Sequence, residues 1–186
     1  RLTNKKRELE EAWEKGEAEG QERPAIGEET ARALIAATGH ATDQTGHAYA
    51  RARRLCELLN DTPHLLKALW GEFVHYHVRA EVNRSHRAAE ELLDLAGQQN
   101  DTAALVAGHR AVGDSWLHRG QLDSARAHLE RGLALSDPAQ QRSLTVLFAE
   151  NARVAMLSFL SLTLGLLGFA EQARLRSTEA LAEARE

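Results

Sequence analysis

The sequence is poor in cysteine, proline and aromatic residues. Its 186 residues include one cysteine, Cys56, which excludes an internal disulfide and a cysteine zinc site and leads us to expect a reducing, cytoplasmic setting. Aromatic residues make up 5% of the chain, while alanine and leucine are abundant, and this bias favours helices over strands. The three prolines, Pro24, Pro63 and Pro138, stand where helices could begin or end.

Charge and hydropathy argue against two classes of partner. The formal net charge is −4 and no surface of clustered lysine and arginine is visible, so we expect no nucleic-acid partner. The most apolar run, residues 154–169, contains Ser158, Ser161 and Thr163 and is short for a membrane span, so it predicts a buried helix. No signal-peptide pattern is visible, and we expect no membrane partner.

The two ends of the chain suggest a fragment of a longer protein. The chain begins at Arg1 without methionine and ends in EALAEARE, a helical pattern with no stop signal. Residues 1–27 are dense in charge, with a thin apolar stripe at Leu9, Ala12 and Trp13. We interpret this segment as a charged N-terminal helix or linker, either a solvated helix or a connector from an upstream domain.

From residue 28 onwards, apolar residues recur at helical spacing between short polar breaks. The pattern predicts helices near 28–38, 43–59, 64–80, 83–98, 101–119, 122–136, 141–167 and 170–185, with a possible interruption at Glu150. The breaks contain Asn, Asp, Gly and Pro, which cap or terminate helices. No segment of the sequence alternates with a period of two, so the predicted fold class is all-α.

The stretch GHRAVGDSWLHRGQLDSARAHLERGLALSDP, residues 108–138, places small, aromatic and turn residues at regular intervals. It resembles a tetratricopeptide repeat, a helix–turn–helix unit of about 34 residues. In that resemblance, Gly113 and Ala125 are the small residues at the helix crossing, Trp116 fills the space beside them, and Gly120 opens the turn.

The second helix of this unit has a pattern of small and apolar residues that recurs along the chain. In the tetratricopeptide resemblance, Leu129 and Gly132 take positions that face the next repeat. The recurring sets are Ala48, Ala52, Leu55 and Cys56; Ser85, Ala89, Leu92 and Leu93; Ala125, Leu129, Gly132 and Leu133; and Ala173, Ser177, Ala180 and Leu181. Successive sets are 37, 40 and 48 residues apart, longer than the standard period. We therefore expect residues 28–186 to form about four degenerate hairpins in a tetratricopeptide-like α-solenoid, a right-handed superhelix, because one hairpin cannot cover its own apolar face.

A more specific resemblance covers roughly residues 28–186. It is carried by AYARARRLCELL, NDTP and LWG within residues 48–71, and by RAHLERGLALSDP at 126–138. These segments resemble the C-terminal repeat region of bacterial class III adenylate/guanylate cyclases joined to an AAA-type or STAND-type ATPase. In that family the cyclase metal aspartates and the ATPase phosphate loop lie upstream, so the resemblance implies no catalytic residue in this chain.

Motifs for enzyme chemistry and cofactors are absent from the sequence. It contains no phosphate loop, no G-x-G-x-x-G and no H-E-x-x-H, so we expect neither catalysis nor a cofactor. Glu72 and His75 form one Glu-x-x-His motif, which we interpret as a solvated helix face rather than a metal site, because a di-iron bundle needs two such motifs. A Ser–His–acid triad is spatial and stays open. We expect Cys56 to be a buried packing residue.

The repeat register also predicts a ligand-binding groove. In the tetratricopeptide family the solvent-facing positions of the first helices line the concave face, which here gives Lys67, Trp70, His77, Arg110, Asp114, Leu117 and His118. The cations would suit carboxylates and Trp70 would supply an apolar anchor. The alternative is that Trp70 belongs to the core and the charges are solvated.

We therefore expect a non-catalytic interaction module of a multidomain signalling protein, binding a protein, a peptide or its own upstream domains. The corresponding fourth-unit strip, Ala155, Ser158, Leu162 and Gly165, is largely apolar, so a further repeat, a domain or a second copy is expected to cover it. The alternative function is a small-molecule sensor, which a deep pocket lined by Trp70, Tyr76 and Trp116 would favour. A long open groove would favour peptide binding.

Overall fold

The computed structural model describes residues 39–137 and 151–185, and every regular element in these ranges is an α-helix. The helices are α1 (Asp43–Leu59), α2 (Thr62–Val78), α3 (Val82–Gln99), α4 (Thr102–His118), α5 (Leu122–Leu135), α6 (Ala152–Leu166) and α7 (Ala170–Glu183). The all-α prediction is therefore confirmed for the described part of the chain. The charged segment 1–27, the predicted helix at 28–38 and the start of the one at 141–167 lie outside the described residues.

Short polar side chains fix where four of these helices begin. Thr42, Asp61, Asp101 and Asn151 each accept a hydrogen bond from the backbone N–H three residues ahead, at 3.0–3.3 Å. Such caps satisfy N–H groups that have no partner inside the helix. The helix starts follow from these local signals in the sequence.

Left-handed residues fix several of the helix ends. Asn60 and Asn100 follow α1 and α3 at φ 53° and 52°, and Gly120 and Gly168 lie in the turns after α4 and α6 at φ 73° and 88°. Asparagine and glycine tolerate this backbone region better than other residues do. The chain can therefore reverse within a few residues, so that α1 pairs with α2, α3 with α4, α4 with α5 and α6 with α7.

The described helices belong to two compact units, divided after Glu81. In the first unit α1 packs against α2, and the crossing is close, because a Cβ added at Gly71 would collide with the Tyr49 ring. A Cβ at Gly46 would likewise lie 2.5 Å from Nε2 of His75. Both glycines are therefore required by the packing of large rings on the facing helix.

In the second unit each helix from α3 to α7 packs against its neighbour in sequence, and α4 also packs against α6. The core contains Leu92, Val106, Leu129, Met156 and Leu160, none more than 1% exposed. These apolar side chains from four helices make one continuous core. Among the described residues, no helix is long and apolar enough to cross a membrane.

Three glycines mark the closest crossings of the second unit. A Cβ at Gly108 of α4 would lie 2.8 Å from the Leu93 Cα of α3, and one at Gly132 of α5 would lie 2.5 Å from the Met156 sulfur of α6. At Gly113 of α4, the added Cβ would lie 2.7 Å from Cγ of Leu129 on α5. The absence of a side chain at these points lets consecutive helices approach each other.

Candidate functional site

In the first unit, the predicted groove residues Lys67, Trp70 and His77 all lie on α2. Trp70 is buried at 8% exposure, while Lys67 and His77 are half-buried. The Phe73 ring lies between the other two aromatic side chains along the helix, with its centroid 5.5 Å from Trp70 and 5.6 Å from His77. Trp70 therefore belongs to a buried aromatic row and is not a solvent-facing anchor, which corrects the groove prediction at this position.

In the second unit, the predicted groove residues Arg110, Asp114, Leu117 and His118 lie on α4. Asp114 has no exposed surface, Arg110 and Leu117 are buried, and only His118 is exposed. The Asp114 carboxylate lies 3.4 Å from Nη1 of Arg110 and 3.0 Å from Nδ1 of His118. Because the Arg110 guanidinium also lies over the Phe159 ring of α6, at 5.3 Å, this face of α4 is used for packing. The expectation that Arg110, Asp114 and Leu117 face solvent is thus wrong, and a role of any of the seven residues in binding stays a prediction.

The residues predicted for repeat packing are placed as follows. Gly113 lies at the crossing of α4 and α5, where an added Cβ would be 3.3 Å from the Ala125 carbonyl oxygen. Ala125 and Leu129 are fully buried, and Gly120 is in the turn. Ala173 of α7 accepts a hydrogen bond at its carbonyl from the Ser161 hydroxyl of α6, at 2.8 Å.

Trp116 has a different environment from the one that the repeat resemblance implies. Its ring meets the His86 ring of α3 edge-on, with centroids 4.2 Å apart, and the Arg119 guanidinium lies 4.8 Å from it. The tryptophan thus packs between an imidazole and a cation. The sequence analysis placed Trp116 beside the crossing of α4 and α5 and did not predict its contact with His86 of α3.

The Glu-x-x-His motif of α2 is buried, contrary to the expectation of a solvated helix face. Glu72 is 6% exposed and accepts a hydrogen bond from Nη1 of Arg53 on α1 at 3.1 Å, while Nδ1 of the buried His75 donates to the His40 carbonyl at 2.7 Å. Glu72 and His75 thus form hydrogen bonds with different residues of the first unit, Arg53 and His40. The prediction of a buried Cys56 is confirmed by its exposure of 1%.

A cleft in the second unit lies between α5, α6 and α7 and has a volume of about 310 Å³. It is lined by Glu130, Leu133, Ala134, Arg153, Leu160, Arg176 and Glu179. Arg153 donates to Glu179 at 2.7 Å and to Glu183 at 3.1 Å, and Arg176 donates to Glu179 at 2.8 Å. The two Arg153 ion pairs join α6 to α7 across 30 and 26 residues, which the sequence pattern did not reveal, whereas Arg176 and Glu179 both lie on α7.

The α6–α7 hairpin carries most of the large apolar side chains that are exposed in the described residues: Leu162, Leu166, Phe169, Leu175 and Leu181. Leu162 and Leu166 are 54% and 60% exposed and lie one helical turn apart on α6. The sequence predicted an apolar strip on the fourth repeat. Three of its members, Ser158, Leu162 and Gly165, are exposed, while the fourth, Ala155, is half-buried. The hairpin therefore presents an apolar surface that the described chain does not cover.

A third feature is a cluster of imidazole groups between α3, α4 and α5. Nδ1 of His86 lies 2.8 Å from the Ser115 hydroxyl, and Nε2 of His86 lies 3.3 Å from the Glu90 carboxylate. This is a Ser–His–acid arrangement, but Ser115 is 1% exposed and its hydroxyl donates to the Val112 carbonyl at 2.8 Å. We therefore interpret Ser115 as a member of a buried polar network rather than as a nucleophile.

Two further histidines of this cluster face each other across the α4–α5 crossing. Nδ1 of His109 lies 3.1 Å from Nδ1 of His128. Burial lowers the pKa of His109 to about 4, and the charges of His128 and Arg131 act in the same direction. Burial also lowers the pKa of His128 against the opposing charge of Glu90. Sequence reasoning missed the pair, because it compared histidines along single helices and these two are 19 residues apart on different ones.

Comparisons with protein-family models and with curated proteins identify no relative. No family model matches the chain, and no curated protein matches it. The resemblances to tetratricopeptide repeats and to a cyclase–ATPase therefore stay predictions.

Proposed function

We propose that this chain is a non-catalytic interaction module whose α6–α7 hairpin binds a protein partner through an apolar helix face. The observation that carries the proposal is the exposure of Leu162 and Leu166 next to each other on α6. Large apolar patches that are left uncovered on a protein surface typically mark interaction sites. If a partner buries both leucine side chains, their apolar surface is removed from water, and this stabilises the complex.

Comparison of α4 with α6 indicates what kind of partner fits. A shift of 48 residues, the spacing between the third and fourth repeat units, aligns Arg110 with Ser158 and Asp114 with Leu162. On α4 these positions are buried, and Arg110 lies against Phe159 of α6. On α6 the same positions are exposed. The face of α4 that packs against α6 thus corresponds to the exposed face of α6. We therefore expect the partner to bind this face through a helix.

The architecture that accompanies this proposal is a tetratricopeptide-like α-solenoid with a right-handed superhelix. It is supported by the recurring small residues of the sequence, by the packing of α1 on α2 and of consecutive helices from α3 to α7, and by the close approach at Gly113 and Ala125. We further propose, from the sequence resemblance alone, that the module belongs to a bacterial cytoplasmic signalling protein. There it would dock on an upstream cyclase or ATPase domain, or associate with a second copy.

Site-specific photo-crosslinking tests the proposed surface. A photoreactive phenylalanine analogue replaces Leu166 in the longest natural form of the protein that can be expressed. After irradiation, the crosslinked adducts are identified by mass spectrometry. We expect adducts to map to a helix of another domain, a second copy or a partner protein, and Leu162→Glu to reduce their yield. Thr178, exposed on α7, is the control position. An adduct yield at Leu166 no higher than at Thr178 would contradict the proposal.

The α5–α7 cleft supports a second candidate function, the small-molecule sensor. Its volume of about 310 Å³ is at the lower end of the range for ligand pockets, and it combines Leu160 with Arg153 and Arg176. It is lined by other residues than the Trp70, Tyr76 and Trp116 set expected for a sensor. A thermal-shift screen with small carboxylates tests this candidate. A stabilising ligand whose effect is lost in Arg176→Ala would favour the sensor over the interaction module.

A further inference from the structure

The solvent-facing side of α6 carries no charge. No residue from 154 to 169 has a charged side chain, and the residues of α6 that are exposed are Ser158, Leu162, Gly165 and Leu166. Burying a charge is costly unless an opposite charge meets it. An uncharged helix face can therefore be buried against an identical face without leaving any charge unpaired, so a second copy of this chain is a partner that this surface can accept.

Three of the exposed residues form a row of i, i+4 spacing along α6, and their size increases along the row. Ser158 is small, whereas Leu162 and Leu166 are large and are 54% and 60% exposed. A copy related by a two-fold axis beside Leu162 runs antiparallel and presents the row in reverse. Leu162 then meets Leu162 of the copy, and Ser158 meets Leu166. Such rows interdigitate in the commonest class of helix packing, so the face is complementary to itself in size.

The same arrangement accounts for Gly165. A Cβ added at this glycine would have one atom of another described helix within 4 Å, at 3.9 Å, so packing within the described chain does not require a glycine there. At the α4–α5 crossing, by contrast, Gly113 receives the large side chain of Leu129. With the axis beside Leu162, the residue opposite Gly165 is the half-buried Phe159 of the second copy. The copy thus supplies the large side chain that Gly165 can receive.

We propose that the partner of the α6–α7 hairpin is a second copy of this chain, and that the two copies form an antiparallel, two-fold symmetric contact of α6 with α6 centred on Leu162. This inference rests on the proposed function, because it names the partner of the same surface. The symmetry repeats each unlike pair, so the leucine pair at the axis occurs once and the other two pairs occur twice. A contact of one helix per copy is smaller than the roughly 1,200 Å² of stable interfaces, so the dimer is reversible and forms at about micromolar concentrations.

Engineered cysteines in the whole chain test both the partner and the register. The single native cysteine, Cys56, is 1% exposed and does not compete. With oxidised glutathione, Leu162→Cys should give a disulfide-linked dimer, because the two Cα atoms meet at the axis within the about 4.4–6.8 Å that a disulfide spans. Ser158→Cys and Leu166→Cys should each remain uncrosslinked, since identical positions lie about 12 Å apart along the helices. A mixture of these two variants should crosslink at about five times the yield of either alone.

Sedimentation equilibrium measures the association without a crosslink. Leu162→Glu should raise the dissociation constant of the dimer at least about tenfold, because it brings two carboxylates together at the axis. Leu181→Glu on α7 is the matched control, since Leu181 is 58% exposed and lies outside the proposed contact. It should leave the dissociation constant within about twofold of the wild type. Both substitutions are at exposed positions, so the helix content measured by circular dichroism should stay unchanged.

The outcomes separate this inference from the proposed function. A wild-type chain that sediments as a monomer at every concentration, together with no disulfide in Leu162→Cys, would overturn the second copy as partner. If photo-crosslinks from Leu166 then map to another domain or protein, the proposed surface stands and only the partner is wrong. If those adducts are absent as well, the proposed function also fails. A Ser158→Cys dimer formed without the Leu166→Cys variant would show that the helices run parallel, which would overturn the proposed arrangement.

Discussion

Replacing Gly113 with alanine measures how tightly α4 and α5 are packed at their crossing. The new methyl group would lie 2.7 Å from Cγ and 2.9 Å from Cδ2 of Leu129, and 3.3 Å from the Ala125 carbonyl oxygen. Leu129 is fully buried and the carbonyl belongs to the α5 backbone, so neither group can move freely. The substitution therefore has to separate the two helices or force Leu129 from its rotamer.

Two opposing effects set the size of the change. Alanine is favoured over glycine in a helix by about 1 kcal/mol, while overpacking a core costs about 1–3 kcal/mol. Gly97 of α3 is the matched control, because a Cβ there meets no atom within 4 Å. Gly97→Ala should thus raise the free energy of unfolding by about 1 kcal/mol, and Gly113→Ala should lie about 1–3 kcal/mol below it. Comparing the two variants cancels the difference in helix propensity between glycine and alanine. What remains is the free-energy cost of overpacking at the α4–α5 crossing.

Urea unfolding followed by far-ultraviolet circular dichroism measures both variants against the parent chain. The expected difference between them corresponds to about 2–12 °C in Tm. If Gly113→Ala is as stable as Gly97→Ala, the crossing has room for a side chain. The explanation of Gly113 as a packing requirement would then be wrong.

The remaining predictions concern protonation, ion pairs and the core. The protein should lose stability as the pH falls from about 6.5 towards about 4, because the unfolded state binds a proton at His109 in this range while the folded state does not, and His109→Gln should flatten this slope in urea titrations. Arg153→Met should lower the free energy of unfolding by about 1 kcal/mol by removing the ion pair to Glu179, whereas Arg174→Met, at an exposed pair, should change it by less than about 0.5 kcal/mol. Leu129→Ala should cost about 2–5 kcal/mol by leaving a cavity, and a smaller loss would show that the site collapses.

Helix positions were predictable from the sequence because their signals are local. Asp61 and Asp101 cap α2 and α4 with their own side chains, and Asn60 takes the left-handed conformation that ends α1. Within the described residues the predicted helix limits lie within two residues of those observed. These features depend on neighbours in the chain, which a single sequence displays directly.

The environment of the site residues was less predictable because it depends on packing between distant segments. Arg110 and Asp114 look like groove residues in the sequence, yet Phe159, 49 positions after Arg110, lies against the guanidinium. The histidine pair arises in the same way, since the α4–α5 crossing brings together rings that are 19 residues apart. The predicted repeat register therefore assigned Arg110 and Asp114 to a solvent-facing surface, whereas the fold buries them.

The chemistry of equivalent positions on α4 and α6 predicts how partner binding will respond to salt. Asp114 is paired with Arg110 and His118 of its own helix, whereas Leu162 has no charge and gains only from apolar contact. Full burial of a leucine side chain contributes about 1.5–3 kcal/mol, and this contribution is not screened by ions. Affinity for a partner docked on Leu162 should therefore change little when ionic strength is raised. A steep loss of affinity with salt would instead point to the charged cleft around Arg153 as the binding surface.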